Sequence, residues 1–555
     1  MRGTAPPDRG AGSMPGRPLD RLYLAIACLT ALALFAVGVS RARSFSLVPP
    51  DSAHYGVVAR NLLRGHGYTE SFVPFHPAVY ESVRHVPELH GLLRPFLLVP
   101  LFQLLGVGPL ALRIPGLLYT ALTGLVVFLW GLRVFGREAA LLACLLTLMN
   151  VNLLSFSLLG ADDVGFAFFF TSVLALLHLA LTTERDRYFL MAGLVSGLAL
   201  LEKPSGFLIA AVFLVTAFAL ARRRPPQVAR WLALLCGPFL AAASVYLIRN
   251  YVAYGSFQFR FGVLNWIGRV EGHEGWARVF ERTPSLLGFL QTIGWHRVIG
   301  MVGAEVSRFL RTILRLRPLA AGNPLSTLMA PAFLPALALC GIPLYARRMP
   351  AMTGLFVGSL VASVGFICLL YTALVRYFSM LIPLFALWAG GVLAYGPRLG
   401  VAGWPGWLLR MSSVLLGGGI LALSGAGFIS AQRALGGLPE LNVCPRAVGW
   451  LAARTRPDER IMTFDPWFVA WAADREAIMI PSGGVEAIVG VARRYGARWM
   501  LAHAARNRPL TSEVVMGIEG SAGDLRATRR FDDGLCRVYQ LDWPEEQGGG
   551  LRPPS

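Results

Sequence analysis

The sequence contains little charge and almost no lysine. Only 15% of its 555 residues are charged, whereas 55% are hydrophobic, and the mean hydropathy is +0.56. A soluble chain of this length could not bury so much apolar surface, so a soluble globular protein is excluded and a polytopic α-helical membrane protein is predicted. Lys203 is the single lysine among 51 basic residues, and this bias indicates a high-GC bacterial genome.

Cysteine is also scarce, and the basic residues do not form a nucleic-acid-binding pattern. Five of the seven cysteines lie in apolar runs. Cys444 and Cys536 lie in the polar C-terminal region and could pair if that region is periplasmic. The net charge of +20 comes from arginines that cluster between apolar runs. Arginines in such positions act as topology signals, so no nucleic-acid partner is expected.

Apolar runs predict eleven transmembrane helices. They cover residues 22–39, 112–134, 138–156, 164–182, 188–201, 206–221, 230–248, 327–346, 352–372, 377–396 and 406–428. With the N-terminus in the cytoplasm, every compact basic turn lies inside the cell, as the positive-inside rule requires. The outside then receives the long loops 40–111 and 249–326 together with the tail from residue 429.

The segments outside the apolar runs differ in character. Residues 1–21 and 545–555 are expected to be disordered, and 22–428 to form the membrane domain. In the first outer loop, residues 51–63 predict an amphipathic helix, and the apolar segment 92–105 is too short to span and is predicted to lie at the interface. Helix-like and strand-like segments alternate in the tail, so a small periplasmic α/β domain is predicted over 429–544.

Several short elements occur in an order that is typical of one family. After Asp51, which directly follows the first span, come Leu112–Gly116, Leu132–Arg137, Leu201–Gly206, Arg249–Gly255 and Arg376–Tyr377. In order and topology, the chain resembles the GT-C membrane glycosyltransferases, in the branch similar to bacterial protein O-mannosyltransferases and lipid A aminoarabinose transferases. The family usually has Asp-Glu after the first span, where this chain has Asp51-Ser52, so a role for the second position does not carry over.

The resemblance implies transfer of a sugar from a polyprenyl-phosphate carrier to an acceptor hydroxyl or amine, with inversion, at the periplasmic face of the bacterial plasma membrane. A carboxylate must take the proton of the acceptor, and cations must receive the charge of the leaving phosphate. Asp51 is the predicted base, with a helix N-cap as its alternative role. The predicted donor-phosphate ligands are Lys203, Arg376 and Arg94; anchoring at the membrane interface is the alternative for the first two.

Further candidates surround this set. Asp162 and Asp163 form a second acidic site that could bind the acceptor, orient a cation or simply lie in water. Glu202 could neutralise its neighbour Lys203. The candidate substrate contacts are His54, Tyr55, Arg249 and Asn250.

Five of the nine histidines lie in the first outer loop. With Asp51 and Glu88 they could form a divalent metal site, although their spacing matches no tight ligand motif. Asp51 and His54 are one helical turn apart and could share a proton. No other cofactor is expected.

Two other classes of function stay open at this point. A transporter or flippase of lipid-linked sugars is the main alternative, but transporters often have internal repeats and charges near mid-membrane. This sequence shows no repeat, and its candidate charges lie at the outer edges of the spans. A non-catalytic scaffold for carrier lipid is the third hypothesis. Donor sugar and acceptor are not determined; loop 249–326 and the tail are predicted to shape acceptor choice.

Overall fold

The computed structural model describes residues 18–43, 48–74, 80–87, 90–221, 223–255, 257, 260–271, 279, 285–314, 333–346, 348–371, 375–395, 418–419, 444–503 and 525–543. Among these residues, the regular structure before the tail is helical apart from one short strand. Its helices are α1 (Pro18–Arg43), α2 (Pro50–Leu63), α3 (Leu93–Leu105), α4 (Pro109–Val134), α5 (Arg137–Leu148), α6 (Val151–Leu158), α7 (Asp162–Thr183), α8 (Asp186–Glu202), α9 (Leu208–Leu220), α10 (Pro225–Tyr254), α11 (Arg260–Glu271), α12 (Leu286–Ile293), α13 (Trp295–Leu314), α14 (Phe333–Tyr345), α15 (Pro350–Leu370) and α16 (Ile382–Tyr395). Short 3-10 turns cover Pro204–Phe207 and Val375–Leu381.

Six of the described helices are long and apolar enough to cross a membrane. They are α1, α4, α7, α10, α15 and Arg376–Ala394, and each coincides with a predicted span. Taken together, α5 and α6 are also long and apolar enough to cross a membrane, and they would form a seventh span. This span is broken, because its two parts are bent by 45°. The predicted span 406–428 lies outside the described residues except at 418–419, so the total of eleven stays a prediction.

The break between α5 and α6 has a local cause. Asn150 lies in extended backbone geometry just before α6. Its side-chain oxygen accepts hydrogen bonds from the backbone N–H groups of Asn152 and Leu153, at 3.0 and 3.3 Å. An asparagine in this position satisfies two donors that a helix start leaves unpaired, so the chain begins a new helix in a new direction.

Helix α2 follows the prediction for residues 51–63 in its extent but not in its character. Pro50 opens it, which suits the first helical position because proline has no N–H to leave unpaired. However, every residue from Ser52 to Asn61 is buried, so the helix has no water-facing side along this stretch. Helix α3 and the tail cover it. The predicted interfacial segment 92–105 is the 13-residue α3, which is too short to span.

The described residues of the tail, 444–503 and 525–543, form three helices and five strands. The helices are α17 (Pro445–Arg454), α18 (Pro466–Ala472) and α19 (Gly484–Tyr495); the strands are β2 (Arg460–Thr463), β3 (Ala477–Met479), β4 (Ala497–His503), β5 (Arg526–Asp532) and β6 (Cys536–Asp542). The sequence predicts helices over 443–454 and 485–495 and strands over 460–464, 477–480, 498–501 and 535–541. The helices α17 and α19 and the strands β2, β3, β4 and β6 lie at these positions. Helix α18 and strand β5 were not predicted.

The sheet is not confined to the tail. Its strand order is β1-β3-β2-β4-β6-β5, and β1 (Phe72–Val73) belongs to the first outer loop. The strands β1, β3, β2 and β4 run parallel, whereas β6 and β5 are added antiparallel. A disulfide joins Cys444 to Cys536, with Cα atoms 5.8 Å apart. The pairing considered from the sequence is therefore present.

Two arginines fix α2 to the tail. Arg60 donates hydrogen bonds to the carbonyls of Trp471 and Ala470 at the end of α18, at 3.0 and 2.5 Å. Arg64 donates to both carboxylate oxygens of Asp474, at 2.9 and 2.7 Å. The last carbonyls of a helix lack partners within it, so Arg60 satisfies groups that burial would otherwise leave unpaired. The helix that carries Asp51 is thus held to the tail.

Candidate active site

Asp51 faces two basic side chains. Arg376, in the 3-10 turn before α16, donates from Nη1 to Asp51 Oδ2 at 2.5 Å. His90 Nε2 lies 3.5 Å from the other oxygen, Oδ1. The Asp51 and Arg376 side chains keep 24% and 35% of their surface exposed, so this pair is open to a ligand although it is partly enclosed.

Lys203 lies between the two acids at the start of α7. Its Nζ is 2.9 Å from Asp162 Oδ1 and 2.5 Å from Asp163 Oδ1. The Lys203 side chain is 9% exposed, and both aspartates are more deeply buried. A buried carboxylate pair requires a counter-ion, and the chain's single lysine provides it.

Tyr377 connects the two groups. Its hydroxyl accepts a hydrogen bond from Arg376 Nη2 at 3.0 Å. Its ring lies 4.9 Å from the Arg376 guanidinium and 5.4 Å from Lys203 Nζ, which is within cation–π range. Asp51, Arg376, Tyr377, Lys203 and Asp162 therefore form one continuous polar site, although they come from distant parts of the sequence.

A buried layer lies behind this site, and it corrects two expectations. Glu202 does not neutralise Lys203 by direct contact; its Oε1 lies 3.4 Å from Arg94 Nε instead. Arg94 also donates to the carbonyl of Gly160 at 2.6 Å and lies over the Tyr55 ring. Its side chain is fully enclosed, so the geometry favours a structural role for Arg94 over direct contact with the donor phosphate.

Tyr55, a predicted substrate contact, belongs to the same buried layer. Its hydroxyl donates to Asp162 Oδ2 at 2.8 Å, and it is almost fully buried. Arg249 donates to its neighbour Asn250 at 3.2 and 2.7 Å and packs its guanidinium 4.3 Å from the Tyr246 ring. Asn250 is buried, so of this pair Arg249 is the better placed to meet a substrate.

Three loop histidines gather beside Asp51 with an acid that the sequence analysis missed. His54 Nδ1 lies 3.2 Å from Glu70 Oε2, and His85 Nε2 lies 2.6 Å from Glu70 Oε1. His90 stacks on His54 with ring centroids 3.8 Å apart. In the sequence, Glu70 is a lone glutamate in a polar loop, and such a residue is usually exposed to water. The only signal that it pairs with histidines is the presence of histidines on either side of it in the loop. Glu88 and His76 lie outside the described residues.

The surroundings of Asp51 and His54 shift their pKa values in physically distinct ways. Burial alone would raise the pKa of Asp51, but Arg376 and His90 outweigh it and bring the pKa well below the usual range. Burial, and then the charge of His90, lower the pKa of His54 well below its usual value. Asp51 is therefore a carboxylate and His54 is neutral at physiological pH.

The described residues do not fit the divalent metal considered from the sequence. His54 and His85 contact Glu70, and His90 is the one described loop histidine that faces Asp51. The Lys203 ammonium occupies the position between Asp162 and Asp163 that a cation would need. Among the described residues, one group of three potential ligands is close enough to hold an ion: Cys444, His503 and Cys536. Two of these form the disulfide and offer no thiolate.

Comparison by sequence gives one match in the helical part. Residues 89–248 match the family model of dolichyl-phosphate-mannose-protein mannosyltransferase. This segment contains Arg94, Asp162, Asp163 and Lys203, whereas Asp51 and Arg376 lie outside it. No curated protein matches the sequence.

Comparison by structure extends over nearly the whole chain. The crystal structure of ArnT from Cupriavidus metallidurans bound to undecaprenyl phosphate is similar over 94% of this chain and 97% of its own, at 16% identity and a TM-score of 0.59. The Archaeoglobus fulgidus oligosaccharyltransferase in its apo form is similar over 87% of this chain and 69% of its own, at 15% identity and a TM-score of 0.53. The mycobacterial arabinofuranosyltransferase AftD is similar over 94% of this chain and 41% of its own, at 14% identity and a TM-score of 0.51. The chain therefore shares its fold with these proteins, and its residues 89–248 are similar in sequence to a mannosyltransferase family.

Proposed function

We propose that the protein transfers a sugar from a polyprenyl-phosphate carrier to an acceptor at the extracytoplasmic membrane face, with Asp51 as the general base. The structurally similar ArnT was crystallised with undecaprenyl phosphate, and the matching family model is named for a dolichyl-phosphate mannose donor. Both carriers present a long polyprenyl chain and a phosphate. A site at the outer end of membrane helices is suited to such a ligand.

The observation that carries the proposal is the partly exposed ion pair between Asp51 and Arg376. Arg376 uses Nη1 for Asp51 and Nη2 for Tyr377. A donor phosphate that binds Arg376 would compete with Asp51 for the guanidinium. Donor binding would then release the carboxylate to accept a proton. Phosphate binding by Arg376 and proton acceptance by Asp51 are therefore coupled by one contact.

The step requires no covalent intermediate. The acceptor oxygen or nitrogen attacks the anomeric carbon and forms the new glycosidic bond, while its proton passes to Asp51. The bond from the anomeric carbon to the phosphate oxygen breaks, and the oxygen keeps the electron pair. Arg376 stabilises the negative charge that develops on this oxygen. Attack opposite to the leaving group inverts the configuration at the anomeric carbon.

The geometry favours Arg376 over Lys203 as the cation for the phosphate. With both carboxylates ionised, Lys203 is outweighed by Asp162 and Asp163, so this group presents no net positive charge. Lys203 is also more enclosed than Arg376. We assign Lys203 the role of holding the two aspartates, one of which accepts the hydrogen bond from the Tyr55 hydroxyl.

The extracytoplasmic location rests on charge placement and on the disulfide. The compact basic turns lie on one side of the predicted spans, and the site lies on the other. The disulfide between Cys444 and Cys536 requires an oxidising compartment, which the bacterial periplasm provides. Accessibility of a cysteine introduced in the tail to a membrane-impermeant thiol reagent in intact cells would test this location.

The central experiment follows the release of free polyprenyl phosphate from a panel of polyprenyl-phosphate sugars. We expect purified wild-type protein to release it with one donor and Asp51→Asn to lose at least about a hundredfold in rate. Asp458→Asn is the matched control, because that aspartate is 74% exposed on the tail. Full activity of Asp51→Asn would move the base elsewhere, whereas protein-dependent flipping of the carrier without sugar release would favour the transporter alternative.

A further inference from the structure

Helix α13 differs in pattern from the six candidate spans. It is 20 residues long, but it carries His296, Arg297, Glu305, Arg308 and Arg311 and is not one of the described helices that are apolar enough to cross a membrane. Its apolar residues recur every three or four positions, and its three arginines lie on the opposite side of the helix. Such a helix either packs its whole apolar side on the protein or lies along a membrane surface.

The apolar side of α13 is only half covered by the protein. Val298 and Phe309 are buried, at 4% and 5% exposure. Beside them around the helix, Trp295, Ile299 and Leu310 keep 55%, 69% and 49% of their surface exposed. The neighbouring helix α12 has five large apolar side chains among its eight residues and no buried residue. This exposed stripe requires an apolar environment outside the protein.

The position of α13 matches the outer leaflet of the membrane. The helix packs against α15, a candidate span, and nearby α11 donates from Arg269 to the carbonyls of Cys368 and Leu369, at 3.1 and 2.9 Å. These carbonyls belong to the last turn of α15. The basic pair Arg347-Arg348 before α15 predicts that this end is extracytoplasmic. Trp295, in the exposed stripe, is of a type that is enriched at membrane–water interfaces.

The buried half of α13 reaches the turn that carries Arg376. Phe309 packs on Phe378, with ring centroids 4.4 Å apart. Phe378 lies two residues after Arg376, and both phenylalanines belong to one core cluster that also contacts Tyr377. Tyr377 in turn accepts a hydrogen bond from Arg376. A displacement of α13 would therefore move the cation that faces Asp51.

From these contacts we infer that α13 lies in the outer leaflet, where anionic phospholipids bind it and thereby hold the Arg376 turn in place through Phe309. The inference rests on the proposed function. Arg297 and Arg311 are exposed on the side away from the apolar stripe, where lipid phosphates lie when the stripe is in the acyl chains. Phe309 is a positioning residue, because it contacts Phe378 and acts on the donor only through Arg376.

The first experiment measures the depth of α13 in lipid nanodiscs. A spin label is attached at Ile299→Cys or at Arg297→Cys, in a background whose five free cysteines are replaced by alanine. The label at 299 should collide with oxygen, which concentrates among acyl chains, and the label at 297 with a water-soluble nickel chelate. Free collision of the 299 label with the chelate would place the stripe in water. Protection of that label from both reagents would show that protein covers it. Either result overturns the inference.

The second experiment measures kcat for polyprenyl-phosphate release in nanodiscs of phosphatidylcholine with or without phosphatidylglycerol. We expect the anionic lipid to raise the wild-type kcat about threefold or more. In the double variant Arg297→Gln, Arg311→Gln, the ratio of the two kcat values should fall to about one, because the lipid phosphates lose their partners. The matched control is Arg446→Gln, Arg498→Gln, at exposed positions of the tail, which should keep the wild-type ratio.

Variants of Phe309 separate anchoring from its effect on the site. Phe309→Ala should lower kcat roughly tenfold and abolish the response to anionic lipid, because the Arg376 turn loses its contact with α13. The label at 299 should report an unchanged depth in this variant. Phe309→Leu should recover most of the kcat and the lipid response, because leucine can still contact Phe378.

A wild type without a response to phosphatidylglycerol, or a Phe309→Ala variant with the full response, would show that the inference is wrong. The proposed function fails separately, through an active Asp51→Asn or through the absence of sugar release in every lipid.

Discussion

Replacing Lys203 by methionine separates the role that the sequence predicts from the role that the structure favours. The ammonium is 2.9 and 2.5 Å from two buried carboxylates. Its removal leaves two acids without their counter-ion in a site where water has little access. Breaking a buried ion pair by removing one partner typically costs about 3–5 kcal/mol. We therefore expect Lys203→Met to lower the free energy of unfolding by about that amount.

The assay is reversible unfolding in mixed micelles, with SDS as the denaturant. Lys203→Met combined with Asp163→Asn should recover about half of the loss, because the remaining Asp162 keeps the hydrogen bond from the Tyr55 hydroxyl. A double-mutant cycle over Lys203 and Asp163 would give the coupling energy directly. The reasoning is refuted if Lys203→Met unfolds within about 1 kcal/mol of wild type while its KM for the donor rises. That outcome would assign Lys203 to the donor phosphate.

Arg376→Ala should lower kcat for sugar release by about 10²–10³-fold, because the leaving phosphate loses its cation. The low pKa of Asp51 means that its carboxylate persists at acidic pH, so kcat/KM should hold its plateau below the usual carboxyl range and be lost only as the pH falls through that lowered pKa. Replacing Cys444 and Cys536 by serine removes a cross-link that spans 92 residues and should cost about 4–5 kcal/mol in unfolding titrations. EDTA should leave turnover unchanged, because the Lys203 ammonium already lies between the acids.

A specific result would contradict each of these predictions. Arg446→Ala, at an exposed position of the tail, is the control for Arg376→Ala, and equal activities of the two variants would remove Arg376 from the site. An acidic limb of kcat/KM within the usual carboxyl range would mean that Arg376 does not hold Asp51 in solution. A serine variant as stable as the oxidised wild type would show that the tail does not depend on its cross-link. Loss of turnover in EDTA that Mg²⁺ or Mn²⁺ restores would establish a metal requirement.

The sequence predicted the site's local elements better than its pairings. Asp51 at the start of α2 and Arg376 at the head of a late span follow from apolar periodicity and topology, which are local signals. The partner of Lys203 cannot be predicted from such local signals, because 40 residues separate Lys203 from Asp163. Only the packing of α7 against α8 decides whether Asp163 or Glu202 lies closer to the Lys203 ammonium. Periodicity along one helix carries no information about which neighbour packs against it.

The missed strands have a similar explanation. Strand β1 is two residues long, which is too short to show any alternation. Strand β5 contains three arginines in seven residues and has no fully buried position, so it looks like a polar loop. Its pairing with β6 is what makes it a strand. Edge strands of this kind are specified by their neighbour rather than by their own side chains.

The shared sheet has a practical consequence for anyone who expresses the tail without the membrane part. Strand β3 would lose its partner β1 and expose a row of free backbone N–H and C=O groups. An uncovered parallel edge of apolar residues such as Ala477 and Ile478 is a template for self-association. The isolated tail should therefore form oligomers through β3, and a charged substitution or a covalently appended copy of the first-loop strand should return it to a monomer.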